Sequence, residues 1–423
     1  MERRNAGLKL LFLLYAFYPD FEANSLIIYH LAKAFTENGH EVHVLPMKAY
    51  FNEAGEEQWE GIQLHRIQYA FDKGQVKQFL SSRRFASALR LSLALIKDSF
   101  QKKEYQALSW SYYSYRRFQD ILKEQEINIV INVCYPLEAC LPVLKYIEHK
   151  EKSFRWIIYM LDPFATNFYY LSKYPKEELL AFQSKIFDLA DRIVVTPLMM
   201  KELKSGLTQE QCIKYLALNF PKVMRLKLLP KPDDIHFDHN YINCVYVGKF
   251  NKDTRNPWFL FRLFDGLEKE HIRLHILGEE REPWLSYLTA ASGNILFYGS
   301  KSKDAALNAE LRSNILINLG NSIPNQLPSK LLEYISTGKP IVNLYKLADC
   351  PSLAYMKHYP IQLSMQEKQA DFQKIKRRFR HFLKRNRRRN ISYSHIQRKF
   401  YYCTLNYVCC EFLNLFDEIM EED

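Results

Sequence analysis

The chain has 423 residues, 48% hydrophobic and 25% charged, which excludes a disordered or low-complexity protein and predicts at least two globular domains. Its net charge of +12 is local, because residues 374–399 contain twelve basic residues and no acidic one, while the rest of the chain is balanced. The eight cysteines include no C-x-x-C pair, which argues against a zinc site and favours buried thiols in a reducing compartment.

The apolar run at residues 8–15 superficially resembles a signal peptide but lacks a small-x-small cleavage site. A continuous apolar run of this length is typical of a strand that is buried on both faces of a parallel sheet. Since no apolar stretch approaches the roughly 20 residues that span a bilayer, we expect a cytoplasmic protein.

Hydrophobic periodicity predicts alternating strands and helices along the first half of the chain. Asn24 or Ser25 can cap a helix whose apolar face includes Ile28, Leu31 and Phe35, and Gly39 suits its end. The predicted strands are 10–15, 41–45, 62–69, 127–133, 155–160, 192–196 and 213–218, and further helices are predicted at 83–100, 105–125, 137–148 and 176–189.

A second series of alternating strands and helices is predicted after the first, and the end of the chain is predicted to be helical. The alternation predicts two doubly wound, Rossmann-like domains facing a cleft, with the boundaries 1–222 and 223–365. Residues 366–423 are expected to form C-terminal basic and amphipathic helices that pack back on the first domain. The predicted strands of the second series are 243–247, 272–277, 295–298, 315–319 and 341–345, and its helices are 257–269, 305–312 and 329–337.

Several familiar ligand-binding motifs are absent from the sequence. No G-x-G-x-x-G follows a strand and no G-x-x-x-x-G-K-[ST] occurs, which removes support for a bound dinucleotide cofactor or a P-loop. There is also no D-x-D that would hold a divalent ion on a sugar nucleotide. We therefore expect no metal and no cofactor.

The most informative stretch is 325–340, Asn-Gln-Leu-Pro-Ser-Lys-Leu-Leu-Glu-Tyr-Ile-Ser-Thr-Gly-Lys-Pro. Pro328 and Ser329 favour a helix start, and Gly338 favours its end. Such a helix start offers N–H groups and a positive dipole to a phosphate. Glu333 lies where a carboxylate can accept hydrogen bonds from a ribose diol, although an ordinary surface glutamate would fit the pattern equally well.

A second stretch, 245–257, follows the first strand of the second domain. Gly248 ends that strand, and Lys249 and Arg255 precede the next helix. Cations in this position could hold a diphosphate without a metal ion, although loop cations are usually only solvated.

Together these stretches resemble the GT-B glycosyltransferases, specifically the family 4-like group (glycosyl transferases group 1). The resemblance covers nearly the whole chain, since Phe-Tyr-Pro at 17–19, the stretch 31–42 and Ala-Asp-Arg-Ile-Val-Val at 190–195 are similar to the first domain of that family. In the second domain the matching segments are Gly248-Lys249, Arg255-Asn256-Pro257 and 328–340.

The resemblance implies a role for each matched residue. Lys249 and Arg255 would act on the donor diphosphate in catalysis, and Asp162 of the acceptor domain would face the sugar. Ser329 and Lys330 would offer backbone N–H groups to the diphosphate, and Glu333 would bind the ribose. The implied donor-binding set is Gly248, Lys249, Arg255, Asn325, Ser329, Lys330 and Glu333.

The implied reaction transfers a sugar from a nucleotide diphosphate sugar to a glycan or lipid-linked acceptor, with retention and without a metal, in surface polysaccharide or glycolipid synthesis. Asn325 stands where the family often has a glutamate, and Leu161 where a histidine is common. These two residues favour an alternative, a catalytically silent GT-B protein that binds a nucleotide sugar or a partner enzyme. Binding to nucleic acid is not expected, because no nucleic-acid-binding fold is recognised.

The basic segment 374–399 has apolar residues at helical spacing, including Ile375, Phe379, Phe382 and Leu383. This pattern is typical of an interfacial helix that docks on an anionic membrane, where a lipid-linked acceptor would be found. It predicts peripheral binding at the inner face of the cell membrane. Two alternatives are that the apolar side packs on the second domain and that the cations bind an acidic glycan.

Overall fold

A computed structural model describes residues 7–47, 53–67, 104–134, 137–172, 174–230, 235–278, 284, 293–323, 326–328, 330–367 and 372–422. The chain divides into two compact units. The first contains Met1–Pro221 together with Leu405–Asp423, and the second contains Lys222–Thr404. The predicted helix at 83–100 lies outside the described residues.

The first unit contains an eight-stranded sheet in the order β3-β4-β2-β1-β5-β6-β7-β8. Its strands pair in parallel except β3, which is antiparallel to β4. Alternate residues of β1 point to opposite faces, so that Leu11 and Leu13 join one hydrophobic cluster and Leu10 and Phe12 the other. The strands are β1 (Lys9–Leu14), β2 (Glu41–Pro46), β3 (Glu56–Trp59), β4 (Ile62–His65), β5 (Ile129–Cys134), β6 (Arg155–Met160), β7 (Arg192–Val195) and β8 (Tyr215–Ala217).

Helices connect these strands and cover the sheet. The first begins where a reciprocal pair of hydrogen bonds between Glu22 and Ser25 satisfies its N-terminus. The described helices of this unit are α1 (Ala23–Glu37), α2 (Glu104–Glu124), α3 (Leu141–His149), α4 (Phe168–Leu171), α5 (Lys176–Leu189), α6 (Pro197–Leu203) and α7 (Gln209–Ile213).

The second unit contains a six-stranded sheet in the order β11-β10-β9-β12-β13-β14, with all pairs parallel. Its strands are β9 (Ile242–Val247), β10 (Ile272–Leu277), β11 (Ile295–Phe297), β12 (Ile315–Leu319), β13 (Ile341–Tyr345) and β14 (Gln362–Gln366). Its described helices are α8 (Trp258–Phe264), α9 (Lys303–Arg312), α10 (Leu331–Thr337), α11 (Ser352–Met356), α12 (Phe372–Asn386) and α13 (Tyr393–Lys399), and α14 (Leu405–Glu421) follows as part of the first unit.

The C-terminal segment does not form one body packed on the first domain. The basic helix α12 belongs to the second unit, because Phe379 and Leu383 are both fully buried in the core of the second sheet. Only α14 returns to the first unit, where Phe412 and Phe416 pack against Phe35 of α1. Helices α12 and α14 belong to different units because the apolar side of each helix is buried in a different core.

Two strands were missed by periodicity, and both are edge strands. β3 reads Glu-Glu-Gln-Trp and β14 reads Gln-Leu-Ser-Met-Gln, and neither has the continuous apolar run of the central strands. Helix α10 begins at Leu331, later than predicted, and has seven residues. No helix among the described residues combines the length and apolar character that crossing a bilayer would need.

Candidate functional site

The strand order of the second sheet reverses direction between β9 and β12. The chain proceeds from β9 outward to β10 and β11, then returns so that β12 pairs with the other side of β9. In open α/β sheets, ligands bind outside the carboxyl ends of the strands at such a reversal. Two segments leave the sheet here, Gly248-Lys249 after β9 and Gly320-Asn321 after β12.

The two loops at this position are joined to each other. The side-chain oxygen of Asn321 accepts hydrogen bonds from Nε and Nη2 of Arg255, at 3.1 and 2.6 Å. The backbone N–H of Ser322 also donates to the carbonyl of Thr254, at 2.9 Å. The Arg255 guanidinium is therefore held in a defined orientation beside the end of the sheet.

The first of these loops is itself a tight turn. Asn251 and Arg255 exchange two backbone hydrogen bonds, at 3.1 and 3.0 Å. The Asn251 side chain accepts from the N–H groups of Asp253 and Thr254, at 2.9 and 3.0 Å. An asparagine side chain that bonds to the backbone two and three residues ahead stabilises such turns. Asn251 and Asn321, neither of which was predicted, thus position Arg255.

Gly248 has a backbone conformation that favours glycine, with φ at +152°. A Cβ atom at this position would lie 3.0 Å from the hydroxyl of Tyr246 and 3.6 Å from Nη1 of Arg255. The bare backbone therefore lies beside the guanidinium, as a loop that receives a phosphate requires. Lys249, the next residue, is exposed.

A cluster of three ionisable side chains lies at the start of α10. The ammonium of Lys330 is 2.9 Å from Oε1 of Glu310 and 2.6 Å from Oε1 of Glu333. Glu310 lies on α9 with a side chain that is 0% exposed, whereas 30% of the Glu333 side chain is exposed. The sequence predicted a backbone role for Lys330, and the structure shows in addition that its side chain bridges two carboxyl groups.

Burial and the interactions among the three groups shift their pKa values in different directions. Burial raises the pKa of Glu310 well above its ordinary value of 4.5, and the Lys330 ammonium only partly opposes this shift. Burial opposes ionisation of Glu333 too, but Lys330 and a hydrogen bond with Glu310 lower its pKa. The two carboxyl groups outweigh burial and raise the pKa of Lys330. The arrangement favours a protonated Glu310 that donates to an ionised Glu333.

Tyr334, the residue after Glu333, anchors α10 to the sheet. Its fully buried hydroxyl accepts a hydrogen bond from the N–H of Val247, the last residue of β9, at 2.8 Å. This bond links the helix that carries Glu333 to the strand that ends at Gly248. Asn325 and Ser329, both predicted donor-binding residues, lie outside the described residues.

The first unit has its own reversal of strand order, between β1 and β5. Asp162 follows β6, the neighbour of β5, and its Oδ2 lies 3.5 Å from Nδ2 of Asn24 at the start of α1. Leu161 beside it is buried in the core, at 2% exposure. Among the described residues of the chain, no three His, Cys, Asp or Glu side chains are grouped to hold a metal ion.

Comparison with known proteins identifies the fold. No protein-family model matches the sequence, and no curated protein matches it either. Solved structures, however, match over almost the full length of the chain. Sucrose-phosphate synthase from Thermosynechococcus elongatus is 11% identical, with 99% of this chain and 100% of that chain covered and a TM-score of 0.63.

Two further structures carry nucleotides. The catalytic domain of starch synthase IV from Arabidopsis thaliana, bound to ADP and acarbose, is 10% identical over 98% of this chain and 99% of its own, with a TM-score of 0.60. The E. coli trehalose-6-phosphate structure, bound with UDP-2-fluoro glucose, is also 10% identical, over 96% and 98% of the two chains, with a TM-score of 0.60. The GT-B fold expected from the sequence is thereby confirmed.

The protonated state of Glu310 predicts a pH-dependent stability. Above pH 4.5 the unfolded chain releases this proton while the folded protein retains it, so the contribution of Glu310 to stability falls as pH rises. Glu310→Gln keeps the shape of the neutral carboxyl and removes the titration. We expect the stability of this variant relative to wild type to increase with pH, by up to about 1.4 kcal/mol per pH unit.

Urea unfolding of the full chain at about pH 5.5 and about pH 8 measures this difference. Glu268→Gln is the matched control, since Glu268 is an exposed glutamate of the same unit. Its stability relative to wild type should be similar at both pH values. A Glu310→Gln difference that is equally independent of pH would contradict the assignment of a buried neutral carboxyl.

Proposed function

We propose that this protein is a glycosyltransferase that transfers a sugar from a nucleotide diphosphate sugar. The observation that carries the proposal is the joining of Arg255 to Asn321 across the ends of β9 and β12, beside the bare backbone of Gly248. Two structures of the same fold contain ADP or a UDP-sugar. A fixed guanidinium at a strand-order reversal is well suited to a diphosphate.

The mechanism follows from the charge that develops on the leaving diphosphate. When the bond between the sugar and the diphosphate breaks, negative charge accumulates on the phosphate oxygens. Arg255, held before the donor arrives, and Lys249 would stabilise this charge, and one such preorganised donor contributes about 3 kcal/mol in other enzymes. We propose that these two cations act without an essential divalent ion.

Glu333 is proposed to bind the ribose. Its carboxylate is ionised and partly exposed, and Lys330 holds it in place at 2.6 Å. A carboxylate has acceptor capacity left after one such contact and can accept from both hydroxyls of a diol. Glu310 would act by positioning Lys330 and Glu333 and would not contact the donor.

The remaining assignments are proposals that rest on the sequence resemblance. They are the acceptor-side role of Asp162, the donor contacts of Asn325 and Ser329, transfer with retention, and an acceptor that is a glycan or a lipid-linked sugar of surface polysaccharide or glycolipid synthesis. The second candidate function is a catalytically silent GT-B protein that binds a nucleotide sugar or a partner enzyme. The burial of the apolar Leu161, where a histidine is common in the family, favours this second candidate.

A donor-turnover assay distinguishes the two candidates. The protein is incubated with ADP-, UDP-, GDP- and dTDP-sugars, with either water alone or an added glycan as the acceptor of the sugar, and release of the nucleoside diphosphate is measured with and without EDTA. We expect turnover of at least one donor, unchanged by EDTA and abolished by Arg255→Ala. Binding of a donor without any turnover would instead establish the silent alternative, and loss in EDTA that magnesium restores would refute metal independence.

The contact between Arg255 and Asn321 predicts a specific pattern in a double-mutant cycle. Arg255→Ala should weaken nucleoside diphosphate binding by about 1.5–3 kcal/mol, because it removes hydrogen bonds to a charged group. Asn321→Ala keeps the positive charge of Arg255 but removes the hydrogen bonds that orient its guanidinium, so it should weaken binding less than Arg255→Ala does. The double variant should match Arg255→Ala alone, since both substitutions act through one guanidinium.

Isothermal titration calorimetry measures these affinities. Lys252→Ala is the control, because Lys252 is exposed in the same loop, and its affinity should equal that of wild type. Additive losses in the double variant would show that Asn321 acts independently of Arg255.

Replacing Glu333 tests the proposed ribose contact. Glu333→Gln should weaken binding of nucleoside diphosphates and leave the affinity for pyrophosphate unchanged, because pyrophosphate has no ribose. Glu310→Gln is the matched control, because its amide can still donate to the Glu333 carboxylate and so keep it in position, and this variant should bind nucleoside diphosphates nearly as wild type does. Equal nucleotide affinities for wild type and Glu333→Gln would mean that Glu333 has only a structural role.

A further inference from the structure

The basic helix α12 has three distinct sides. One side is apolar, and its Phe379 and Leu383 are fully buried against the second sheet. A second side carries Lys376, Arg380 and Lys384, spaced four residues apart. The third side carries Lys374, Arg377, Arg378, His381 and Arg385, and it faces away from both of the other sides, as the 3.6-residue period requires.

The cations of the second side contact acceptor groups of their own unit. Glu270 contacts Arg380 at 2.5 Å and Lys384 at 2.7 Å, and the carbonyl of Asp265 accepts from Lys376 at 2.6 Å. These cations therefore hold the helix on its own unit. They also fix the orientation of the apolar side toward the core, and the third side contains the other cations of α12.

The third side forms one wall of a groove of about 620 Å³, and residues 360–363 at the edge strand β14 form the other. Besides His381, the groove is lined by five cations, Lys374, Arg377, Arg378, Arg385 and Arg389. None of these five forms an ion pair within the described part of the chain, although Arg389 donates to Asn386 at 3.1 Å. We call this feature the basic groove.

Placing these cations together is unfavourable without a ligand. On α12 Lys374 lies three residues before Arg377 and four before Arg378, and like charges at this spacing destabilise a helix. An anion in the groove would remove that repulsion. Four of the five cations are arginines, and a planar guanidinium group can donate two parallel hydrogen bonds to two oxygens of one phosphate.

The size of the groove points to a ligand with more than one anionic group. Lys374 and Arg385 are separated by about 16 Å along the helix, so a ligand with several anionic groups is needed to contact the whole row of cations at once. The volume lies within the range of about 300–1,000 Å³ that small-ligand sites have. Of the apolar residues predicted to enter a bilayer, Phe379 and Leu383 are fully buried, and Ile375 and Phe382 are partly buried against the same core. A membrane contact of α12 would therefore depend mainly on these cations.

We propose that the basic groove binds a ligand that carries at least two phosphate groups, either free in solution or as the headgroup of a lipid. The groove lies on α12 and β14, whereas Arg255 and Gly248 belong to the loop after β9. The proposal is independent of the glycosyltransferase assignment, because it needs no sugar transfer.

Binding of tripolyphosphate to the full-length protein tests the proposal. The groove variant combines Arg377→Gln, Arg378→Gln and Arg385→Gln. The control variant combines Arg387→Gln, Arg388→Gln and Lys399→Gln, which remove the same charge from exposed positions outside the groove lining. We expect the groove variant to lose at least about tenfold in affinity, and the control less than about threefold.

Two further measurements complete the test. Lys249→Gln with Arg255→Gln should leave a groove-dependent tripolyphosphate site intact, which separates this site from the proposed donor site. Co-sedimentation with phosphatidylcholine vesicles, with and without cardiolipin, distinguishes a lipid-borne diphosphate from a soluble one. Loss of tripolyphosphate or cardiolipin binding in the groove variant alone supports the proposal. Equal losses in the groove and control variants, or no binding of either probe, would overturn it.

Discussion

The reversal of strand order between β9 and β12 is the constraint on which the candidate site depends. It brings the loops after these two strands side by side, although 68 residues separate Val247 from Ile315 in sequence. Hydrogen bonds from Arg255 to Asn321 and from Ser322 to Thr254 then join the loops directly. A guanidinium fixed in this way does not have to be ordered when a ligand arrives, and preorganisation of that kind reduces the entropic cost of binding.

Burial controls the electrostatics beside this site. Three ionisable groups, Glu310, Lys330 and Glu333, lie within a few ångströms of one another, and Glu310 is the fully buried one, whereas Lys330 and Glu333 are each about 30% exposed. The low-dielectric surroundings favour one neutral carboxyl and one ion pair over three charges. As a result the negative charge of the cluster is located on Glu333, whose side chain is partly exposed.

In the C-terminal helices, the surface that buries each apolar side is decided by the neighbouring elements. The apolar stripe of α12 would suit a bilayer surface as well as a protein core, and the second sheet provides the core. Helix α14 supplies a comparable stripe to the first unit, against α1. The cations of α12 stay at the surface, and four of them line the basic groove.

The sequence by itself determined the α/β class, the central strands and the segments around Gly248, Arg255 and Glu333, because continuous apolar runs and turn residues are local signals. Strands β6 (155–160) and β10 (272–277) have the bounds that the sequence predicted. The edge strands β3 and β14 carry no such signal, since their pairing with one neighbour requires few apolar residues.

Tertiary structure alone decided which residues meet. Asn321, Glu310 and Tyr334 are unremarkable in sequence, yet they position Arg255, Lys330 and helix α10 through contacts across 20 to 87 residues. Likewise the charges of α12 were visible in the sequence, but which of them contact Glu270 and which of them line the groove beside β14 depended on tertiary contacts. Such contacts arise only when distant segments are brought together by strand order, which local patterns do not encode.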